Sequence, residues 1–186
     1  MKTRKCVVVG DPKVGKSSLL QVQLRTVVPA LPDEVLPRTL HDFSCRLQKG
    51  TKTIQLDLCD TDGAADAESL RQMSYWGANV FLVIFSTSSR RSFRNVKSTW
   101  VPEIYKNVPA DIPVVLVGLS NPNEAHTAKV SDDEAEAMVR SLGCHSYISV
   151  PSLDSPICYE VFLKAATIAK NNPQTLDEEE STCTIL

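Results

Sequence analysis

Residues 10–17 are Gly10-Asp11-Pro12-Lys13-Val14-Gly15-Lys16-Ser17, and this stretch decides the fold. It has the pattern GxxxxGK[ST], follows the apolar run Cys6–Val9 and precedes a helical pattern over residues 15–26. In this strand–loop–helix setting, consecutive backbone N–H groups can surround a phosphate at a helix N-terminus, where the helix dipole also favours anions. The stretch therefore predicts a phosphate-binding loop, with phosphate contacts from Asp11, Pro12, Lys13, Val14, Gly15, Lys16, Ser17 and Ser18.

Two side chains of this loop have distinct predicted roles. The Lys16 ammonium supplies a positive charge to the outer phosphates of a nucleotide, and the Ser17 hydroxyl is a ligand for Mg²⁺. A second metal ligand is predicted at Asp60, which follows the strand-like residues Leu58 and Cys59. An aspartate in such a place is usually a turn residue, but here it opens the run Asp60-Thr61-Asp62-Gly63, which favours the metal-binding role.

The rest of the chain predicts an α/β fold. Three nearly continuous apolar runs, Cys6–Val9, Val80–Phe85 and Val114–Val117, are typical of strands buried on both faces of a parallel sheet. Residues 43–48 and 53–58 flank Lys49-Gly50-Thr51 and predict an antiparallel hairpin at the sheet edge. Strands that alternate with helices indicate a mixed, mostly parallel, six-stranded sheet flanked by helices.

Helix boundaries are marked by capping signals. Ser131-Asp132-Asp133-Glu134 is a capping box, and it predicts a helix that runs to Leu142 and stops at Gly143. Ser155-Pro156 predicts another helix with a serine cap and proline at the first helical position.

The two tryptophans, Trp76 and Trp100, are interpreted as packing aromatics. Trp100 recurs with Phe93 and Val96 at helical spacing, which supports this interpretation. Trp76 has a second interpretation, as part of a surface that faces a partner.

Composition excludes several classes of protein. The chain has 186 residues, enough for one domain with its own core, and a formal net charge of −2 from 20 basic and 22 acidic residues. This balance gives no basic surface for nucleic acid. No apolar run is long enough to span a membrane or to form a signal peptide, so we expect a protein that is not secreted.

Six cysteines are present, but no CxxC pair suggests zinc. We expect reduced, buried thiols at five of them, and these are Cys6, Cys45, Cys59, Cys144 and Cys158.

With these motifs in place, residues 4–170 resemble a Rho-type small GTPase of the Ras superfamily. The resemblance is most specific in residues 74–86 (SYWGANVFLVIFS) and 92–104 (SFRNVKSTWVPEI). It implies a P-loop NTPase G-domain over residues 1–172 that binds GTP or GDP with Mg²⁺. It also implies protein effectors and regulators that contact the two switch regions, residues 31–45 and 62–76. The interval between Gly118 and Val130 is too short for the extra helix that is usual in Rho proteins.

Several functional positions depart from the family pattern around the third phosphate. The switch-two glutamine position is Ala64, which cannot orient a water, so the sequence leaves open whether the chain is an enzyme. Asp62 replaces alanine and places a carboxylate near the phosphate, whereas Gly63 keeps its N–H for that phosphate. Pro12 replaces a glycine and has no N–H.

Switch one and the base site depart as well. The magnesium-binding threonine position is Arg38, and Thr39 serves only with a one-residue shift. The guanine-binding [NT]KxD motif appears as Leu119-Ser120-Asn121-Pro122, so base selection is largely lost. Weak base contacts remain available from Asn121 or Asn123 and from the backbone N–H of Ser152.

Residues 173–186 are predicted to be a flexible acidic tail with a CaaX-like end, Cys183-Thr184-Ile185-Leu186. A terminal leucine suits geranylgeranylation of Cys183, and one prenyl group gives weak membrane attachment. Because residues 177–180 are acidic, anionic membranes would repel the tail. We therefore expect a cytoplasmic protein held peripherally on the cytoplasmic face of membranes.

Three functions are compatible with these observations. The first is a Rho-like switch with slow GTP hydrolysis, and the second is a nucleotide-independent pseudo-GTPase that serves as an interaction module. The third, a P-loop kinase, is disfavoured because the arginine-rich lid of such kinases is missing.

Overall fold

Six strands form a single sheet. The protein is described by a computed structural model that covers residues 3–27, 42–120 and 129–172. The strands are β1 (Thr3–Val9), β2 (Asp42–Lys49), β3 (Lys52–Asp60), β4 (Val80–Ser86), β5 (Val114–Leu119) and β6 (Ser146–Val150). Their order across the sheet is β2-β3-β1-β4-β5-β6.

Only the β2–β3 pair is antiparallel among the described strands, and it is the predicted hairpin at the sheet edge. Every other neighbouring pair is parallel. The mixed, mostly parallel six-stranded sheet is thereby confirmed. All residues of β4 and β5 are buried, which explains their continuous apolar sequences.

The helices connect the strands on both faces of the sheet. They are α1 (Lys16–Val27), α2 (Glu68–Met73), α3 (Arg90–Asn95), α4 (Val101–Asn107), α5 (Asp132–Leu142) and α6 (Ile157–Asn171). A π-helical segment, Val96–Trp100, joins α3 to α4. We call residues 90–107 the composite helix.

Each face of the sheet has its own core. One core packs α1 and α6 on residues such as Leu56 and Leu82. The other packs the composite helix and α5 on residues such as Phe81 and Phe85. Because the parallel strands all end at one edge, the segments that follow β1, β3 and β5 converge there.

Two predicted helix boundaries are confirmed and one is shifted. Ser131 caps α5 in a capping box with Glu134, and Gly143 ends that helix in the left-handed conformation. The prediction for α6 was wrong by one residue. The helix begins at Ile157 after Pro156, and the Ser155 hydroxyl accepts a hydrogen bond from the Ile157 N–H at 3.2 Å.

The interpretation of Trp76 as a packing aromatic was wrong, because its side chain is 87% exposed. It lies just after α2, where Leu70 and Met73 are also exposed. Trp100 is buried as expected. Cys6, Cys45, Cys59, Cys144 and Cys158 are free and buried, which confirms the expected thiols.

Several predictions fall outside the described residues. These are residues 31–41 of switch one, with Arg38 and Thr39, the base-site residues Asn121 and Asn123, and the tail with Cys183. Within the described helices, none is long and apolar enough to cross a bilayer.

Candidate functional site

The phosphate loop lies at the carboxyl edge of the sheet, between β1 and α1. Its first glycine, Gly10, has a φ of 147° and lies so close to β4 that a Cβ there would be 2.2 Å from the Ile84 carbonyl oxygen. Gly15 has a φ of 100°. Both positions therefore require glycine, and they fix the course of the loop around the start of α1.

Lys16 is the first residue of α1, and its ammonium turns back into the loop. Nζ donates to the carbonyl oxygens of Gly10 at 2.8 Å and Asp11 at 2.9 Å. Burial lowers the pKa of Lys16, although the nearby carboxylates of Asp60, Asp62 and Asp11 partly oppose that shift. Its two hydrogen-bond acceptors here are neutral, so the ammonium retains a net charge with which to attract a phosphate.

Ser17 and Asp60 lie next to each other, as the sequence predicts for a metal site. The Ser17 hydroxyl donates to Asp60 Oδ2 at 2.5 Å, although the two residues lie on different elements. Both provide the oxygen ligands that Mg²⁺ prefers. No group of three or more His, Cys, Asp or Glu side chains within the described residues is arranged to hold a metal by itself. The pair therefore fits Mg²⁺ that is shared with substrate phosphates, because such sites use few protein ligands.

Pro12 and Lys13 form the exposed tip of the loop. Pro12 has no N–H, so one of the amides that could surround a phosphate is missing. Lys13 has a φ of 65°, a left-handed conformation that costs a residue with a Cβ about 1–2 kcal/mol.

Switch two begins at the end of β3 and contacts the phosphate loop directly. A Cβ at Gly63 would be 2.3 Å from the Gly10 carbonyl oxygen and 2.7 Å from the Pro12 nitrogen. The exposed Asp62 carboxylate accepts a hydrogen bond from the Ala64 N–H at 2.9 Å. Ala64 occupies the predicted glutamine position with a methyl group that cannot orient a water.

A buried cluster between α2 and the composite helix holds this segment, and the sequence does not predict it. Arg71 donates to both carboxylate oxygens of Glu103, at 2.9 Å from Nε and 2.8 Å from Nη2. Its Nη1 donates to the carbonyl oxygens of Asp62 at 2.8 Å and Ala64 at 3.0 Å. The Tyr75 hydroxyl donates to Glu103 Oε1 at 2.6 Å. We call Arg71, Tyr75 and Glu103 the Arg71 cluster.

Charge pairing is reflected in the pKa values of this cluster. The hydrogen bond to Glu103 raises the pKa of Arg71 despite its burial. Burial alone would raise the pKa of Glu103, but the hydrogen bonds from Arg71 and Tyr75 and the charge of Arg71 outweigh it and lower that pKa. The pair is ionised and its charges are satisfied within the protein.

The phosphate loop is attached to the same helix through Asp11. Trp100 Nε1 donates to Asp11 Oδ1 at 2.7 Å, and Asn95 Nδ2 donates to Asp11 Oδ2 at 2.7 Å. The Arg71 guanidinium also lies 4.9 Å from the centroid of the Trp100 ring. The predicted phosphate contact at Asp11 can therefore come only from its backbone, because both oxygens of its side chain accept hydrogen bonds from the helix.

On the base side, an alkyl side chain lies against the phosphate loop. Leu119, at the end of β5, is buried, and a Cβ at Gly15 would be 2.4 Å from its Cδ2. Leucine offers no hydrogen bond to the loop or to a base. The neighbouring Ser120 N–H donates to the Val150 carbonyl at 2.9 Å, so it is used inside the sheet.

Ser152, the second predicted base contact, lies in the turn after β6. Its carbonyl oxygen accepts from the Ser155 N–H at 3.2 Å and from Cys158 Sγ at 3.6 Å. Beyond this turn a surface groove of about 640 Å³ runs between the ends of α1 and α6 and includes Leu153. The contact of the Ser152 N–H with a base stays a prediction.

Comparison with known proteins agrees with this geometry. A model of the Ras family matches residues 5–171. The chain belongs to the Ras family of small GTPases. The Ras-like GTP-binding protein RhoL of Drosophila melanogaster is 33% identical over 186 residues, which cover 98% of this chain and 94% of that protein.

The position of the site in the fold agrees with membership of the Ras family. The phosphate loop, the Ser17–Asp60 pair and the segment 62–64 lie where the fold brings the carboxyl ends of β1 and β3 together. The residues predicted to contact phosphate and Mg²⁺ lie together in this member of the family. The predicted base-side and glutamine positions carry alkyl side chains, at Leu119 and Ala64.

Proposed function

We propose that the chain is a Rho-like small GTP-binding signalling protein that binds GTP and GDP with Mg²⁺. The observation that carries this proposal is the position of the Lys16 ammonium. It is 2.8 Å from the Gly10 carbonyl oxygen, within the loop and beside the Ser17–Asp60 pair. Similarity to RhoL, which is named a GTP-binding protein, supports a guanine nucleotide and the Rho branch.

The residues of the loop bind and orient the phosphates. Backbone N–H groups at the start of α1 meet the phosphate oxygens, and Lys16 adds its charge. Ser17 would bind Mg²⁺ through its hydroxyl, and Asp60 would bind it directly or through water. Mg²⁺, when bound, neutralises part of the phosphate charge.

Hydrolysis is proposed to be slow. The methyl group of Ala64 cannot orient an attacking water, and the Asp62 carboxylate adds negative charge beside the phosphates. The signalling state would then be regulated by abundance or localisation, with effectors and regulators that contact residues 31–45 and 62–76.

Identification of the copurified nucleotide tests this proposal. The protein is purified without added nucleotide and denatured, and the released compounds are identified by chromatography and mass spectrometry. Stoichiometric GTP or GDP is expected. If no nucleotide is released, and the refolded chain binds none in the presence of Mg²⁺, the proposal is wrong.

A nucleotide-independent interaction module is the second candidate. It is favoured by the contacts of residues 62–64, which the protein itself provides through Arg71. Loss of stability in Lys16→Ala does not separate the two candidates, because Lys16 donates to two carbonyls of the loop in either case. The separating measurement is the increase in melting temperature on addition of GDP and Mg²⁺, which only the first candidate predicts.

Membrane attachment is proposed through a single prenyl group on Cys183. A single chain binds membranes only marginally, so we expect a cytoplasmic protein that associates reversibly with the cytoplasmic face of membranes. Mass spectrometry of the C-terminal peptide from eukaryotic cells tests this, and an unmodified Cys183 would refute it.

A further inference from the structure

The segment 62–64 is held in place by contacts that need no phosphate. Arg71 Nη1 donates to the carbonyl oxygens of Asp62 at 2.8 Å and of Ala64 at 3.0 Å. Asp62 Oδ1 in turn accepts from the Ala64 N–H at 2.9 Å. Two side chains of the protein thus hold both ends of a three-residue segment.

The guanidinium that makes these contacts is itself fixed. Arg71 is buried, and its other hydrogen bonds form a bidentate pair with Glu103, whose position the Tyr75 hydroxyl also fixes. Bidentate charged pairs combine strong hydrogen bonds with a defined geometry. Removal of either partner leaves a buried charge, so the pair resists separation.

The phosphate loop, against which residues 62–64 pack, is attached to the composite helix. Asp11 of the phosphate loop accepts hydrogen bonds from Asn95 and Trp100, both at 2.7 Å. Glu103 is three residues beyond Trp100 on that helix. The composite helix therefore positions the phosphate loop through Asp11 and switch two through Arg71.

The segment 62–64 packs closely against the phosphate loop. A Cβ at Gly63 would lie 2.3 Å from the Gly10 carbonyl oxygen and 2.8 Å from the Asp11 carbonyl carbon. The segment 62–64 therefore lies directly against the phosphate loop.

We infer that Arg71 is a positioning residue that holds residues 62–64 in this closed arrangement, whether the bound nucleotide is a diphosphate or a triphosphate. This inference concerns the regulation of the same site, and only its part about nucleotide-bound states rests on the proposed function. A ligand shifts a conformational equilibrium only by its difference in affinity for the two states. Because Arg71 already favours the closed arrangement, a third phosphate changes the equilibrium between open and closed arrangements little. The exposed residues Leu70, Met73 and Trp76 are then presented with either nucleotide.

Amide hydrogen exchange of the full chain tests this inference. Exchange is followed by mass spectrometry in peptides that cover residues 61–73 and 10–17, for the free protein, with GDP and MgCl₂, and with GppNHp and MgCl₂. The 61–73 peptide is expected to exchange at the same rate in the two bound forms, to within about twofold. Exchange that is about tenfold slower or more with GppNHp than with GDP would overturn the inference.

The variant Arg71→Met/Glu103→Gln removes both charges, so that neither is left buried alone. In the free chain its 61–73 peptide is expected to exchange about tenfold faster than wild type. With nucleotide, exchange should become slower with GppNHp than with GDP. The control Arg140→Met/Glu136→Gln makes the same change in an exposed ion pair and should leave this peptide unchanged.

The two proposals fail in different ways. If the 10–17 peptide gains no protection from either nucleotide, the proposed function fails, whereas the free chain still tests the role of Arg71. If the free Arg71→Met/Glu103→Gln variant folds, as its circular dichroism reports, and its 61–73 peptide exchanges as in wild type, the role of Arg71 is refuted.

Discussion

Two buried cations flank the candidate site, and the protein compensates their charges in different ways. Lys16 and Arg71 have similar exposed fractions, 7% and 4%. The ammonium of Lys16 donates to two neutral carbonyl oxygens, and burial lowers its pKa. The guanidinium of Arg71 is paired with the Glu103 carboxylate, and its pKa is raised.

This difference indicates that Lys16 is available to bind a ligand, whereas Arg71 stabilises the fold. A buried charge is costly unless an opposite charge and hydrogen bonds compensate it. Arg71 has that compensation inside the protein, so it has no charge to offer a ligand. Lys16 has only partial compensation from Asp11, Asp60 and Asp62, and a bound phosphate would complete it.

The largest expected effect comes from breaking the compensated pair. Arg71→Met leaves the Glu103 carboxylate buried without its partner, and we expect a loss of about 3–5 kcal/mol in the free energy of unfolding. Urea denaturation, followed by circular dichroism, measures it. The further change Glu103→Gln should restore part of this loss, whereas a loss below about 1 kcal/mol in Arg71→Met would show that the pair is not compensating.

Removal of the other cation should affect binding more than folding. Lys16→Met keeps the alkyl chain and removes the charge, and loss of a charged hydrogen bond to phosphate should weaken GDP–Mg²⁺ binding about 10-fold to 150-fold. Stability should fall by no more than about 1–3 kcal/mol, because the two lost hydrogen bonds go to neutral carbonyls. Isothermal titration calorimetry measures the affinity. Unchanged affinity would contradict the role of Lys16 as a phosphate ligand.

Acid sensitivity gives a third, smaller test of the compensated pair. The pKa of Glu103 is lowered in the folded state, so its contribution to stability is present above its unfolded pKa of about 4.3. That contribution is lost as the pH falls through the folded pKa. Glu103→Gln should therefore flatten the decline in the free energy of unfolding below about pH 4.

The control for this test is Glu136, an exposed carboxylate whose ion pair with Arg140 has a length of 3.7 Å. Glu136→Gln should change the acid dependence much less than Glu103→Gln, because water screens exposed charges. Equal effects in the two variants would contradict the assignment to Glu103.

The smallest expected effect concerns Lys13, the exposed cation of the loop. Its φ of 65° favours glycine, so Lys13→Gly should stabilise the free protein by up to about 1 kcal/mol. Thermal unfolding without nucleotide measures it. Lys13→Ala removes the charge but keeps the strain, and it should not be stabilised. A gain in Lys13→Ala equal to that in Lys13→Gly would show that charge and not conformation is responsible.

Much of the fold was predictable because its signals are local. The apolar run Val80–Phe85, the hairpin around Gly50 and the capping box at Ser131 each depend on neighbouring residues, and all three are confirmed. The pairing of Ser17 with Asp60 was also predictable, because the ends of adjacent parallel strands meet at one edge.

The Arg71 cluster was not predictable from the sequence. Arg71 and Glu103 are 32 residues apart, and charged residues are usually exposed, so nothing local marks either as buried or pairs it with the other. Trp76 was misassigned for the converse reason, because an aromatic residue is usually buried and nothing local marks this one as exposed. Both depend on how α2 packs against the composite helix, which only the tertiary structure decides.

The π-helical segment Val96–Trp100 has a consequence for what evolution or engineering can change here. In an α-helix, two residues five positions apart point about 140° away from each other, but a π-turn brings them onto one side. That extra residue is why Asn95 and Trp100 both reach Asp11. If this segment became regular α-helix with no residue removed, Glu103 would rotate by about 100° relative to Asn95. The helix would survive, while its two attachments would no longer face the same neighbours.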